Sequence, residues 1–203
     1  MLLSGQEIHQ RQGNGLQIEP FSDDRLNPNS YNLALHHELL IYEEVVLDAA
    51  SPNRYRRIEI PTDGLTLQPN QLYLGRTVEY TETHGLVPMI QGRSSLGRLG
   101  LFINPGGSVG DVGYCGTWTL EMYCVQPVRI YPDMQICQIY YMQIDGPCDE
   151  YCSTKNKYQN SRDIQPSLLF RELGGDDRDT QLELNFEELL HGTSHENRVA
   201  SSE

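Results

Sequence analysis

The sequence predicts an all-β fold, a sandwich or partly closed barrel with a few short helical pieces. From Leu16 onward, the chain consists of short runs rich in β-forming residues, and no helical pattern separates them. Pairs of turn-forming residues lie between these runs, at Pro52–Asn53, Asp63–Gly64, Pro69–Asn70 and Pro132–Asp133. The length of 203 residues and the hydrophobic fraction of 38% suit one domain with a single core. Many short strands without helices between them are typical of two packed sheets or of a barrel.

The chain opens with a helix signal. Ser4 and Glu7 have the spacing of a capping box, in which the side chain of each residue bonds the backbone of the other. Gly13 and Gly15 follow at the point where such a helix would end. We therefore predict a short helix from about Gly5 to Gln12.

Seven later runs carry the strand pattern. They are SYNLALHHELLIY (30–42), RRIEIP (56–61), LTLQP (65–69), QLYLGRTVEYT (71–81), LVPMIQG (86–92), TWTLEMYCV (117–125) and MQICQIYYMQI (134–144). Alternation with a period of two divides the sixth run into two faces. One predicted face carries Thr117, Thr119, Glu121 and Tyr123. The opposite face carries Trp118, Leu120 and Met122.

Charge and hydropathy exclude several classes of partner. The net charge of −13 argues against a nucleic-acid polymer, because binding a phosphate backbone requires clustered Lys and Arg. A mononucleotide needs only a local cationic pocket. No apolar run approaches the roughly 20 residues of a membrane span, and the N-terminus lacks the pattern of a signal peptide. We expect a cytoplasmic protein with no membrane partner.

The C-terminal part differs in composition from the rest. We predict one domain over residues 1–173, in which 145–165 form a polar, mobile arm. Residues 174–203 carry eight Asp and Glu against two Arg, and we predict an acidic extension, partly disordered, with a short helix at 182–190. The five cysteines form no CxxC pair, which favours reduced thiols over a disulfide framework or a zinc ribbon.

The stretch from Gln91 to Tyr123 has the composition of a binding site. Eight of the 18 glycines lie between Gly92 and Gly116, interleaved with arginines and serines that suit phosphate oxygens. Each of its polar residues also has a plain structural interpretation. Arg93 and Arg98 are spaced like surface ion-pairing residues, Glu121 like a solvent-facing strand residue, and Asp111 like a local acceptor in a turn.

Several motifs in order resemble the dCTP deaminase branch of the dUTPase-like family. The motifs are MLLSG (1–5), NPNSYNLAL (27–35), GRSSLGRLG (92–100), Asp111 with Gly113 and Tyr114, TLE (119–121) and KYQNSRDIQPSL (157–168). Together they cover roughly residues 1–173. The resemblance implies a dUTPase-like distorted β-barrel or jelly roll. It also implies a homotrimer with active sites at subunit interfaces, and Mg²⁺ carried by a nucleotide triphosphate.

The resemblance assigns the reaction chemistry to a few positions. Glu121 is the general acid and base for hydrolysis at C4 of cytosine. Ser94 helps to place the attacking water, and Arg98 orients the glutamate and steadies charge in the transition state. Arg93 and Ser95 hold the triphosphate.

Other positions take binding roles by the same resemblance. The backbone carbonyl of Gly107 holds the water, Asp111 accepts from the sugar 3′-hydroxyl, and Tyr114 lies beneath the deoxyribose. Thr119 belongs to the substrate-binding positions of the TLE segment. Lys157 and Tyr158 open a C-terminal lid over about residues 150–173, and Lys157 brings a cation to the triphosphate. Ser161 occupies a position that commonly contacts the base.

Three functions remain open at this stage. The first is deamination of dCTP to dUTP and ammonia. The second couples deamination to pyrophosphate release, giving dUMP, with Asp111 acting on the α-phosphate as well. The third is a nucleotide-binding regulator without turnover.

A zinc deaminase is a further alternative. His36–Glu38 supply H-x-E, and Pro147, Cys148 and Cys152 resemble P-C-x-x-C. The two cysteines are separated by three residues instead of two, and strand patterns surround them instead of helices. We therefore predict no zinc.

Overall fold

The protein is represented by a computed structural model that describes residues 1–104, 107–151 and 157–174. Strands dominate these residues. In chain order they are β1 (Leu16–Glu19), β2 (Leu26–Asn27), β3 (Ser30–Ala34), β4 (Glu38–Tyr42), β5 (Tyr55–Glu59), β6 (Leu65–Leu67), β7 (Tyr73–Thr83), β8 (Leu86–Gly92), β9 (Leu101–Ile103), β10 (Cys115–Cys124), β11 (Val128–Ile130) and β12 (Gln135–Gln143). The helices are α1 (Gly5–Gln10), α2 (Ser94–Gly97) and the 3₁₀ turns Asp23–Arg25 and Leu169–Arg171. Within those residues, no helix has the length and hydropathy that a membrane span requires.

Two antiparallel sheets enclose the main core. The larger has six strands in the order β5-β4-β7-β10-β9, with β1 also paired to β7, and the smaller has the order β2-β3-β12-β8. A separate pair joins β11 and β6. Leu120 and Met122 of the larger sheet and Ile90 and Ile139 of the smaller one lie fully buried in a single cluster. The predicted all-β fold is confirmed.

The N-terminal helix starts where the sequence predicts and ends two residues earlier. The hydroxyl of Ser4 accepts a hydrogen bond of 3.2 Å from the backbone N–H of Glu7. The carboxylate of Glu7 does not reach back to the cap, because it accepts from Nε of Arg11 at 2.6 Å. Only half of the predicted capping box is therefore formed, and the helix ends at Gln10.

The predicted run 30–42 is two strands in different sheets. β3 belongs to the smaller sheet and β4 to the larger one. Between them, the N–H of Leu35 donates to the carbonyl of Met134, and the N–H of His36 donates to that of Arg76. The chain therefore crosses between sheets without a turn residue, which explains why the sequence pattern shows one run. Four other short strands, of two to four residues, were also missed, because so few residues show no clear alternation; they are β1, β2, β9 and β11. The equally short β6 was predicted because turn residues flank it at Asp63–Gly64 and Pro69–Asn70.

A register shift interrupts β10 at Trp118. Thr117 faces Tyr80 and Thr119 faces Arg76, so three residues of β7 stand opposite one of β10. The backbone N–H of Trp118 donates to Oγ1 of Thr77 at 3.0 Å in place of a backbone carbonyl. The predicted alternation holds only beyond the bulge, where Leu120 and Met122 are buried and Glu121 and Tyr123 are exposed.

The C-terminal segment, defined here as residues 157–174, packs against the domain. Ile164 and Phe170 are buried, with 2% and 6% of their surface exposed. The N–H of Thr117 donates to the carbonyl of Ser161 at 2.8 Å, so the segment also pairs with the start of β10. Cys152 and the predicted helix at 182–190 lie outside the described residues, as does the acidic extension apart from Gly174.

Candidate active site

A cavity of about 530 Å³ lies between the larger sheet and the C-terminal segment. Its sheet side presents Tyr114, Trp118, Thr119 and Glu121 with Leu72 and Leu74. Its other walls come from the C-terminal segment, from the last residue of β4 and from the loop between β4 and β5. Residues of these walls are Tyr158, Gln165, Pro166, Ser167, Leu169, Tyr42, Leu47, Asp48, Ala49 and Asn53. The main core lies on the opposite side of the sheet, so this cavity is a separate, solvent-connected space.

Glu121 is held by its backbone and has a free carboxylate. Its N–H donates to Oδ1 of Asn104 at 2.9 Å, and its carbonyl accepts from the N–H of Asn104 at 2.8 Å. Leu74 is its cross-strand partner. Within the described part of the chain, no hydrogen bond or ion pair engages the side chain of Glu121. Both carboxylate oxygens are thus available for proton transfer in the cavity.

Two fixed aromatic rings form one wall. The ring centroids of Tyr114 and Trp118 lie 4.5 Å apart at 47°. The hydroxyl of Tyr114 donates to the carbonyl of Thr117 at 2.7 Å, and Nε1 of Trp118 donates to Oγ1 of Thr81 at 2.9 Å. Burial raises the pKa of Tyr114, so its hydroxyl stays a donor at neutral pH. Such a wall suits the flat face of a base or the apolar side of a sugar.

The C-terminal segment is tied to the cavity by backbone hydrogen bonds. The N–H of Gln165 donates to Oγ1 of Thr119 at 2.9 Å, and the N–H of Ser167 donates to the hydroxyl of Tyr42 at 2.8 Å. The hydroxyl of Tyr158 accepts from the N–H of Leu168 at 3.1 Å. These bonds hold residues 165–169 across the cavity as a wall.

The four residues of the Arg-Ser motif lie elsewhere on the surface. Arg93 precedes α2, and its Nη1 donates to the carbonyl of Gln135 at 3.1 Å. Ser94, Ser95 and Arg98 are exposed, and their side chains make no hydrogen bond or ion pair with the described residues. None of the four lines the cavity at Glu121. In one chain, the predicted catalytic residues therefore occupy two separate places.

The remaining predicted residues also lie outside the cavity. Asp111 and Gly107 are exposed, and Gly107 adjoins residues that the structure does not describe. Lys157 forms an ion pair with Glu172, with its Nζ 5.8 Å from the ring centroid of Tyr158. The hydroxyl of Ser161 donates to the carbonyl of Asp163 at 2.9 Å, so it is turned into its own loop. Of the predicted residues, the structure brings together Tyr114, Thr119, Glu121 and Tyr158.

Several cavity residues were missed by the sequence analysis. Trp118 was predicted on the face of Leu120 and Met122, opposite Glu121. It does pack against the main core, but the register shift also brings it to the cavity of Glu121, which the alternation did not predict. Gln165 and Ser167 belong to a recognised motif, but nothing in the sequence shows which strand they meet. Asn53 was predicted only as part of a turn and Asp48 was not singled out, although their mutual hydrogen bonds shape the loop between β4 and β5.

Two groups of described residues have the side chains and proximity of a metal site. They are His36 with His37 and Glu38, and Glu82 with His84 and Cys115. Neither group lines the cavity at Glu121. The residues predicted at phosphates, Arg93, Ser95 and Lys157, are hydrogen-bond donors and not the carboxylates that hold Mg²⁺ directly. This donor set fits a magnesium ion that arrives on a triphosphate.

Comparisons with known proteins give a consistent result. A family model described as dCTP deaminase-like matches residues 2–144. The chain is 70% identical over 193 residues to a Rhodopirellula baltica protein named dCTP deaminase, covering 95% of this chain and 96% of the relative. It is 58% identical over 172 residues to a Hathewaya histolytica protein named dUMP-forming dCTP deaminase, covering 85% and 99%.

One solved structure supports the fold. A 2′-deoxycytidine 5′-triphosphate deaminase from Agrobacterium tumefaciens superposes with a TM-score of 0.56 at 18% sequence identity. The match covers 69% of this chain and 47% of that chain. At this identity the likeness concerns the fold alone, and it agrees with the predicted dUTPase-like barrel.

Proposed function

The chain belongs to the dCTP deaminase-like family and is an enzyme acting on dCTP, and we propose that it hydrolyses dCTP to dUTP and ammonia. The observation that carries this proposal is the free carboxylate of Glu121 in a cavity with a fixed aromatic wall. A group that moves protons needs access to water and substrate, and a carboxylate in an internal ion pair would lack it. Glu121 meets that requirement.

In the proposed reaction, Glu121 serves both proton steps. Its carboxylate takes a proton from water while the oxygen attacks C4 of cytosine, which gives a tetrahedral intermediate. The protonated Glu121 then donates to the exocyclic nitrogen, the C–N bond breaks, and ammonia leaves. The proton of the new C4 hydroxyl moves to N3, which gives the uracil ring. The balance is dCTP and water in, dUTP and ammonia out. Ser94 positions the water, and the guanidinium of Arg98 stabilises the charge of the transition state.

The remaining residues are proposed to bind the nucleotide. The ring of Tyr114 lies against the deoxyribose, Asp111 accepts from its 3′-hydroxyl, and Thr119 and Tyr158 line the base pocket. Arg93, Ser95 and Lys157 hold the phosphates. Lys157 forms an ion pair with Glu172, so binding of a nucleotide would exchange that carboxylate for a phosphate oxygen. Mg²⁺ bound with the triphosphate would partly neutralise its charge, and no step at C4 is assigned to zinc.

We propose a homotrimer whose active sites combine residues of two neighbouring subunits. The separation of Arg98 from Glu121 in a single chain supports this, because a shared site would bring the two groups together. An exposed aromatic pair supports it as well. Phe102 and Tyr123 stack at 5.2 Å between ring centroids, and each keeps over a third of its surface exposed. A subunit contact would cover such a pair.

Release of pyrophosphate after deamination is the second candidate function. It is favoured by relatives named dUMP-forming, among them the protein from Hathewaya histolytica. The carboxylate of Asp111 makes no hydrogen bond or ion pair with the described residues, so it is available to activate water for attack on the α-phosphate. The product would then be dUMP.

Product analysis distinguishes the two candidates. Purified protein is incubated with dCTP and, separately, with dUTP, each with Mg²⁺, and the nucleotides are separated by chromatography. We expect dUTP from dCTP and no reaction of dUTP. Formation of dUMP and pyrophosphate from dCTP would establish the second function. Absence of turnover with both nucleotides would contradict both functions and favour a regulator.

A further inference from the structure

A second, small hydrophobic cluster covers the outer face of the larger sheet. Leu40 of β4 and Leu74 of β7 are register partners, and Ile164 of the C-terminal segment packs on both. The three are 1%, 6% and 2% exposed, with Tyr42 and Tyr55 packed around them. Because this cluster is separate from the main core, Ile164 is what removes Leu40 and Leu74 from water. Burying its side chain anchors the segment to the sheet.

An ion pair fixes the residue before this anchor. Nη1 of Arg57, on β5, donates to Oδ1 of Asp163 at 3.0 Å, and Nη2 donates to Oδ2. The same carboxylate accepts from the N–H of Ile164 at 2.7 Å. The hydrogen bond from Arg57 holds the pKa of Asp163 below its usual range. A bidentate ion pair of this kind fixes the orientation of the two side chains as well as the distance between them.

The anchor lies immediately before the cavity wall. Gln165 follows Ile164, and its N–H is the donor to Thr119. Residues 165–167 and Leu169 line the cavity, whereas Arg57, Asp163 and Ile164 do not. The three therefore have no contact with the space at Glu121. They influence it through the position of residues 165–169 and, for Ile164, through its contact with Leu74, which also lines the cavity.

We propose that Ile164 and the Arg57–Asp163 pair are positioning residues for the reaction. They hold residues 165–169 against the sheet, so that the wall encloses the nucleotide beside Glu121. This inference rests on the proposed function. The buried isoleucine carries most of the effect, since an exposed ion pair changes an equilibrium by a factor of roughly two to five.

Steady-state kinetics with dCTP test the proposal. Ile164→Ala is expected to raise KM more than about tenfold, and Arg57→Gln about two- to fivefold, with smaller changes in kcat. Residues 165–169 contribute equally to binding in the ground state and in the transition state. The substitutions should therefore change mainly KM. Ile164→Val should recover most of the affinity, whereas Arg57→Lys should recover only part of the loss caused by Arg57→Gln, because an ammonium group cannot make the bidentate pair with Asp163. Arg11→Gln is the matched control, because Arg11 pairs with Glu7 on α1, and neither residue lines the cavity or contacts the C-terminal segment.

Amide hydrogen exchange supplies a readout that does not depend on turnover. In Ile164→Ala and Arg57→Gln, the amides of Gln165 and Ser167 should exchange faster, while amides of the main core stay protected. Unchanged exchange at Gln165 would overturn the proposal, and so would faster exchange with an unchanged KM. If the wild-type chain releases no ammonia from dCTP, the proposed function fails. The exchange comparison then still decides whether Ile164 and Arg57 hold the wall.

Discussion

Nε1 of Trp118 donates a hydrogen bond of 2.9 Å to the hydroxyl of Thr81, a fully buried residue. The bond becomes possible because the register of β10 shifts beside Trp118. The shift places the indole against the ring of Tyr114 and at the cavity of Glu121. An irregular pairing between two strands thereby supplies half of the aromatic wall.

The place of Trp118 in the aromatic wall predicts different results for two substitutions of this residue. Trp118→Phe keeps a ring and loses the bond to Thr81, so it should lower the free energy of unfolding by about 1–2 kcal/mol and leave KM for dCTP nearly unchanged. Trp118→Ala removes the ring and should raise KM about tenfold. Denaturant titration and steady-state kinetics measure both. An alanine variant with the KM of the wild type would exclude the indole from the binding wall.

His36 predicts a pH dependence of stability. Burial, followed by the positive charge of Arg76, lowers its pKa from 6.5 to about 4. The unfolded chain therefore binds a proton that the folded chain does not, and stability is lost as the pH falls from 6.5 towards 4. With the side chain 15% exposed, the loss should be about 1–2 kcal/mol.

Denaturant titrations at fixed protein concentration, above and within that pH window, measure this loss. His36→Asn should reduce the difference in unfolding free energy between the two conditions. His9→Asn, at an exposed histidine, is the control and should retain the difference seen in the wild type. A His36→Asn variant that loses as much stability as the wild type would show that other groups cause the acid sensitivity.

If each active site combines residues of two subunits, as proposed, two inactive variants should complement each other. Arg98→Ala and Glu121→Gln should each be inactive alone. After unfolding and refolding as a mixture, some sites would combine an intact Arg98 with an intact Glu121, and activity should return to about a quarter of the wild-type level. Light scattering should give the mass of three chains. A monomeric mass, or a mixture without activity, would contradict sites shared between subunits.

Metal removal distinguishes a zinc-dependent deaminase from one in which Glu121 activates the water without zinc. Chelation should lower the rate with dCTP, and Mg²⁺ alone should restore it, because the ion accompanies the triphosphate. Metal analysis of the active protein should find far less than one zinc per chain. Stoichiometric zinc, together with activity that only zinc restores, would overturn the assignment of Glu121 as the sole activator of water.

The local features of the fold were predictable and the pairings were not. β7 and β12 follow runs of β-forming residues between turn residues, and both were predicted within two residues at each end. The division between β3 and β4 was missed, because both strands lie in one run of residues in which no Gly or Pro marks the crossing between the sheets. The bulge at Trp118 depends on three residues of β7, which alternation within β10 does not reveal.

The candidate site was predicted in part. Motifs identified Tyr114, Thr119, Glu121 and Tyr158, which the structure brings to one cavity. Its outer wall depends on contacts such as Gln165 with Thr119, which are distant in sequence and carry no motif of their own. The roles of the Arg-Ser motif, of Gly107, Asp111, Lys157 and Ser161, and the cytoplasmic location stay predictions.

Release of ammonia by the wild type and by Glu121→Gln tests the account most directly, with binding of dCTP measured on the same samples. The amide keeps the shape of the side chain and cannot take a proton from water, so we predict loss of ammonia release with nucleotide affinity within a few fold of the wild type. Glu59→Gln, on the same sheet and outside the cavity, should behave as the wild type. Ammonia release by Glu121→Gln at the wild-type rate would contradict the role of Glu121 and with it the proposed mechanism.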